Sequence, residues 1–199
     1  MGTNVILDIM GSIIIGGILL ITLFRMSDRA TESTYSKTGD LTIQQNIATV
    51  VRVLENDFRK IGYCADWTKI PNPAKAIVLA DKDKLKFLTD VDRDGNIDTM
   101  YCYIGPASEL IYTANPRDRF LYRVINNEKP VKVNLGVTQF GLIYYNVNKD
   151  IIPAPVAVPG EIYTIQISVA VEDVEAYNQK YSQVFWRQIR LVARNLKNR

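Results

Sequence analysis

The stretch DVDRDGNID places Asp90, Asp92, Asp94, Asn96 and Asp98 at every second position, with Gly95 among them. Oxygen donors at that spacing are the chemistry of a hard divalent cation. An EF-hand-type loop draws ligands from its first, third, fifth, seventh and ninth residues, has glycine at the sixth, and closes with a bidentate Glu at the twelfth. Counted from Asp90, the first nine positions fit, with Asn96 contributing its backbone carbonyl, but the twelfth residue is Tyr101 and the flanks read as strands. Asp81 or Asp83, in the neighbouring turn, are the candidates to complete a shell. Calcium is therefore the candidate cofactor, and its role would be to stiffen a hairpin rather than to do chemistry. The competing reading is a polar turn, because Asp94-Gly95 between two strand patterns is a hairpin signal. Against that simpler reading, so many carboxylates this close repel one another unless a cation or basic groups neutralise them.

Other chemistry is thinly represented. The chain has no histidine, which excludes Ser-His-Asp and Cys-His nucleophiles, a His-ligated zinc and a histidine pH switch. No cluster of nucleophile, base and oxyanion donor can be named, so the expectation is a non-enzyme without a small-molecule substrate. The 24 basic and 21 acidic residues are dispersed and leave a net charge of +3, unlike the concentrated basic stripe that nucleic acid requires. Cys64 and Cys102 are too far apart for a CxxC motif; they form either one disulfide, in an oxidising compartment, or two separate buried thiols.

The elements that must position these residues begin with a membrane-type segment. Val5 to Phe24 is apolar apart from Asp8, Ser12 and Thr22. As a helix, twenty such residues span roughly 30 Å, the thickness of a bilayer core. No Lys or Arg precedes the run and no small-x-small cleavage site follows it, so the expectation is an uncleaved anchor over residues 1–25. Ser12 and Gly16 form a small-xxx-small pair, with Gly11 and Gly17 beside them, giving one thin side for a helical partner. Asp8, one turn into the run, needs a partner or the interface. Arg25 and Arg29 follow the anchor, so the charge rule alone leans toward an N-out arrangement.

A helical continuation is expected over residues 26–62, with an apolar stripe at Ile43, Ile47, Val50, Leu54, Phe58 and Ile61, a kink or break at Gly39 and a stop at Gly62. Residues 63–199 read as an antiparallel β-sheet domain, with strand patterns at 76–80, 84–89, 97–104, 119–125, 138–146, 161–173 and 184–196. In the last two, Ile165, Ile167, Val169 and Val171 share a face, as do Phe185, Ile189, Leu191 and Ala193, so each strand is expected to bury one side and wet the other. IIPAPVAVPG reads as a loop. The fold class is thus α+β, a long N-terminal helix packed on one antiparallel sheet.

This order of parts resembles the type IV pilin-like superfamily, nearest to the minor pilins and minor pseudopilins of type IV pili and type II secretion systems. The likeness lies in LENDFRKIGYC at the helix end, IDTMYCYIG, FLYRVINN, the V-x-x-F-x-L-x-Y-Y strand from Val137 to Tyr145, and Arg194-Asn195-Leu196. It covers roughly residues 45–196, and it departs at the front, where the chain reads MGTNVILDIM and Asp8 is the nearby acid in place of the family's Gly-Phe cleavage point and Glu. The resemblance implies a structural subunit whose anchor packs in the membrane among other pilin-like or envelope-complex subunits, with the C-terminal domain periplasmic or extracellular. That placement in turn favours a Cys64–Cys102 disulfide closing a loop of about 39 residues, worth roughly 4 kcal/mol. The alternative is a single-pass, calcium-dependent extracytoplasmic binding module.

Overall fold

In the computed structural model, residues 2–173 and 183–192 are described, and the chain divides into two units, Met1–Gly39 and Asp40–Arg199. The first unit is the N-terminal part of helix α1 (Gly2–Arg59). Its most apolar 18-residue window has a mean hydropathy of 2.4, and none of that window is buried within the chain. The hydroxyl of Ser12 donates to the Asp8 carbonyl and that of Thr22 to the Ile18 carbonyl, both at 2.8 Å. Thr31, Thr34 and Thr49 make the same bond to the preceding turn further along the helix.

Gly39 does not interrupt the helix, contrary to expectation. One glycine costs about 1 kcal/mol against alanine, too little to break a helix whose following turns gain by burial. The stripe from Ile43 to Ile61 is buried as the spacing predicts, with Phe58 and Ile61 wholly covered. Past Arg59 the chain tightens through Lys60 and Ile61 to Gly62, whose φ of 71° is left-handed and whose amide donates to Leu88. That glycine ends the helix where the sequence placed the stop.

The rest of the second unit forms two antiparallel sheets rather than one. The first contains β1 (Ile77–Ala80), β2 (Lys84–Thr89), β3 (Asp98–Ile104), β4 (Leu121–Ile125) and β5 (Val131–Val133), paired in sequence order. The second contains β6 (Val137–Tyr145), β7 (Ile151–Ile152), β8 (Thr164–Glu172) and β9 (Gln183–Val192), in the order β7-β6-β8-β9. One core serves both sheets: the helix stripe, Phe87 and Met100 of the first sheet, and Phe140, Leu142, Tyr144 and Ile167 of the second belong to one buried cluster. Phe58 meets Phe87 edge to face at 5.8 Å, the geometry that ring quadrupoles prefer. An apolar N-terminal helix whose continuation packs on antiparallel sheet is a pilin-like architecture.

Two further differences from expectation, and one contact not read from the sequence, complete the unit. Strand β7 forms inside the stretch read as a loop, because its two residues pair with Tyr144 and Tyr145. Strand β8 does not wet one side: besides Ile165 to Val171, its Gln166, Ala170 and Glu172 are buried, as befits a strand between two neighbours. Finally, a bidentate ion pair ties the helix to the first sheet. Arg123 Nε and Nη2 donate to Asp57 Oδ2 and Oδ1 at 2.6 and 3.2 Å, and the Asp57 side chain is only 3% exposed. The inward face expected of Phe185, Ile189, Leu191 and Ala193, and the motif Arg194–Leu196, lie outside what the structure describes.

Candidate metal loop and anchor helix

The acidic stretch is the loop of the β2–β3 hairpin, whose last pair is Thr89 with Asp98. Arg93 and Gly95 adopt left-handed backbone, φ 69° and 81°, which turns successive amides inward. They close on Asp90, which is buried: its Oδ2 accepts from the amides of Ala65 and Gly95, both at 3.0 Å, and its Oδ1 from that of Arg93 at 2.6 Å. The Ala65 amide first, then those of Gly95 and Arg93, hold the Asp90 carboxyl below the usual carboxylate range against the opposing effect of burial. Asp98 Oδ2 accepts from the Val91 amide and its Oδ1 from Asn126 Nδ2, at 2.9 and 2.7 Å.

Asp90, Asp92 and Asp98 each offer a carboxylate oxygen, and these oxygens lie within 4.8 Å of one another. Oxygens on a common Ca2+ shell, each about 2.3–2.6 Å from the ion, fall within that separation, so this cluster can hold a metal. Asp90 has spent three of its roughly four acceptor positions on amides, which leaves it one for an ion. The all-carboxylate donor set suits a hard cation rather than zinc or copper. Asp94 is not among the converging carboxylates. Asp94 accepts from the Asn96 amide at 2.7 Å and from Asn96 Nδ2 at 2.6 Å, and the former bond leads in lowering its pKa. Asn96 Oδ1 accepts from Lys69 Nζ at 2.6 Å.

Asp81 and Asp83 do not complete a shell. They occupy the β1–β2 turn, at the end of the hairpin where Lys84 pairs with Tyr103, five residues along β2 from the Thr89–Asp98 pair. That separation is about 17 Å at the usual rise of a strand. Tyr101, in the position of the missing Glu, stacks on Tyr103 at 4.7 Å. The loop also meets basic groups: in addition to Lys69, Lys60 Nζ donates to the Val91 carbonyl at 3.2 Å.

The disulfide expectation is overturned. Cys64 and Cys102 are separate buried thiols. Cys64 lies beside the acidic loop, where its Sγ donates to the Gly95 carbonyl at 3.6 Å. Cys102 is four residues up β3 from Asp98, about 13 Å of strand away from the end of the hairpin that carries the acidic loop and its Cys64 neighbour. Burial first, with Asp57 adding, pushes the Cys102 thiol up to about 12, so it behaves as an apolar side chain of the core.

On the apolar N-terminal segment of α1, Asp8, Ser12, Gly16 and Gly17 are exposed and Gly11 is half-buried. A Cβ added to Gly11, Gly16 or Gly17 would meet nothing within 4 Å, so these positions leave open space along the helix. The exposed apolar helix suits a membrane or a partner surface. The Asp57–Arg123 pair was not read from the sequence. Its available signal was an acid placed three residues beyond Leu54, on the margin of the buried stripe.

No family model matches this chain, and neither a curated protein nor a solved structure matches it.

Proposed function

We propose that this chain is a non-enzymatic, membrane-anchored pilin-like subunit of a bacterial envelope filament or of a secretion or pilus-type complex. The observation that carries the reading is the helix itself. Its apolar N-terminal segment is exposed along Val5 to Phe24, while from Ile43 onward the same helix supplies the stripe on which the sheets pack. An exposed run of that length is unfavourable in water and favourable in a bilayer. In this reading the anchor crosses the membrane once, the C-terminal domain lies in the periplasm or outside the cell, and neighbouring subunits meet the helix along Gly11, Ser12, Gly16 and Gly17. Asp8 serves as the polar contact within that packing. The experiment replaces Ser12 and Gly16 together with Leu in the full chain and follows membrane complexes by in-membrane crosslinking. Loss of higher-order species, with membrane extraction unchanged, is expected; unaltered complexes would remove the subunit reading.

A second reading, a single-pass calcium-dependent binding module, is favoured by the convergence of Asp90, Asp92 and Asp98. Here calcium would stiffen the loop and its neighbours, including the exposed Trp67 in the short 3-10 turn Trp67–Lys69. Calcium titrated into the full chain should then raise the melting temperature and alter tryptophan emission. Neither change at millimolar calcium would dispose of the ion, leaving Lys60 and Lys69 to neutralise the loop.

A further inference from the structure

Strand β6 pairs with β8 along its length, whereas β7 covers its other edge at Tyr144 and Tyr145 alone among the described residues. The Leu142 amide donates to the Lys82 carbonyl at 2.7 Å instead of to β8. Backbone groups alternate in direction along an antiparallel strand, so the amide and carbonyl of Phe140, two residues earlier, point toward the same open edge. At the far end, the Arg119 amide closes on the Val137 carbonyl at 2.9 Å. Between these two contacts lies an open cleft of about 410 Å3, with Lys82, Asp83, Arg119, Thr138 and Phe140 in its lining.

Two polar atoms of that lining, Thr138 Oγ1 and Arg119 Nε, are buried without a hydrogen-bond partner among the described residues. Thr138 as a whole is 6% exposed. Folded proteins tolerate few such atoms, because a buried donor that makes no bond keeps its full desolvation penalty. Arg119 Nε can only donate and the threonine hydroxyl donates readily, so the pair seeks an acceptor. Lys82 and Arg119 against Asp83 leave one positive charge in the lining. That balance suits a single carboxylate better than a phosphate dianion. Phe140 is itself buried, 5% exposed, but its amide and carbonyl are directed at this edge and add the pattern that an extended backbone recognises.

We propose that this cleft receives a short, extended, acidic peptide segment of a partner protein. Its backbone bonds Phe140 as an added strand, and its Asp or Glu side chain accepts from Arg119 Nε and Thr138 Oγ1. The edge between those two contacts, Thr138 to Gly141, spans about 10 Å of strand, so about three residues of such a segment lie against it. The inference concerns the second unit alone and does not depend on how the anchor packs.

The test uses the full chain in phospholipid nanodiscs and a fluorescein-labelled, end-blocked pentapeptide, Thr-Val-Glu-Val-Thr, compared with its Thr-Val-Gln-Val-Thr counterpart. The Glu peptide is expected to bind about tenfold more tightly, the usual margin of a charge-assisted bond, and Arg119→Met and Thr138→Val should each reduce its affinity by a similar factor. Thr138→Val should also raise the melting temperature of the unliganded protein, because it removes an unpartnered buried hydroxyl; a folding defect would lower it. Equal binding of the two peptides, no binding of either, or full affinity in both variants would overturn the proposal.

Discussion

Replacing Arg123 with Met removes a guanidinium from a carboxylate that cannot reach water. Asp57 is 3% exposed on the helix and Arg123 is 28% exposed on β4, joined at 2.6 and 3.2 Å. Such pairs add little net stability relative to apolar residues of similar size, yet breaking one by removing a single partner costs roughly 3–5 kcal/mol. The two halves are unequal here. Arg123→Met strands a buried anion and should cost about 3 kcal/mol, whereas Asp57→Leu leaves a cation that can turn toward solvent and should cost about 2 kcal/mol. The double substitution should lie within about 1 kcal/mol of the natural protein, giving a coupling of at least 3 kcal/mol. For a unit of this size the Arg123→Met loss corresponds to a fall of roughly 6–12 °C in Tm.

The assay is thermal unfolding of the full chain in nanodiscs, followed by near-ultraviolet circular dichroism. The stacked rings of Tyr101, Tyr103 and Tyr122, 4.7 and 4.8 Å apart, report the first sheet directly. Far-ultraviolet signal would be dominated by the 58-residue helix α1. Additive single losses, with a coupling under about 1 kcal/mol as for exposed pairs, would refute the claim that this contact is desolvated. A strong coupling would mean that the pair holds one register of the helix segment bearing Asp57 on the first sheet.

Two glycines five residues apart should respond very differently to alanine. Gly136 has φ 69°, and a Cβ there would collide with the backbone carbonyl of Glu172, so Gly136→Ala should cost about 3 kcal/mol or more; Gly141, beside open space, should gain or lose under about 1 kcal/mol in the same unfolding measurement. Because Asp90 and Asp94 sit below the ordinary value of 3.8 when folded, they stabilise the fold above that pH and lose the contribution as pH falls through their folded values. Stability of the natural chain should therefore drop below about pH 4 more steeply than that of Asp90→Asn, and parallel curves would contradict the hydrogen-bonded loop. With its thiol pushed up to about 12 and buried, Cys102 should resist alkylation in the native state and react on unfolding, in a protein whose mass is unchanged by reductant.

Which of these features the sequence carried follows from the range over which each is decided. The helix stripe from Ile43 to Ile61 and the strand at 84–89 are local periodicities, and the chain folds as they require. Strands β5 and β7, of three and two residues, are too short to show a period and exist because β4 and β6 pair with them. Division into two sheets is likewise a matter of pairing between distant segments, which alternation within one strand does not encode. The Asp57–Arg123 pair joins residues 66 apart in the chain, and its signal was one acid beside an apolar stripe.

The cysteines and the aspartates make a sharper comparison, because both were read as clusters from residue type and spacing. Compartment and loop length favoured a Cys64–Cys102 bond, but position along β3 forbids it: Cys64 sits by Gly95 and Cys102 lies about 13 Å further up the strand. The same hairpin geometry brings Asp90, Asp92 and Asp98 together, because Asp98 pairs with Thr89, next to Asp90, while the left-handed turns at Arg93 and Gly95 fold Asp92 back over them. It equally leaves Asp94 and Asn96 bonded to each other, and Asp81 and Asp83 at the wrong end. Two groups close in sequence were separated, and one pair eight residues apart was joined, by the register of a single hairpin. The loop's charge is then met by the amides around Asp90 and the ammonium groups of Lys60 and Lys69, and the three converging oxygens could hold a cation besides. Removing Lys69 should therefore strengthen, not weaken, any response of the loop to calcium, and an unchanged response would mean that the Lys69 ammonium does not compete with an ion for the loop's charge.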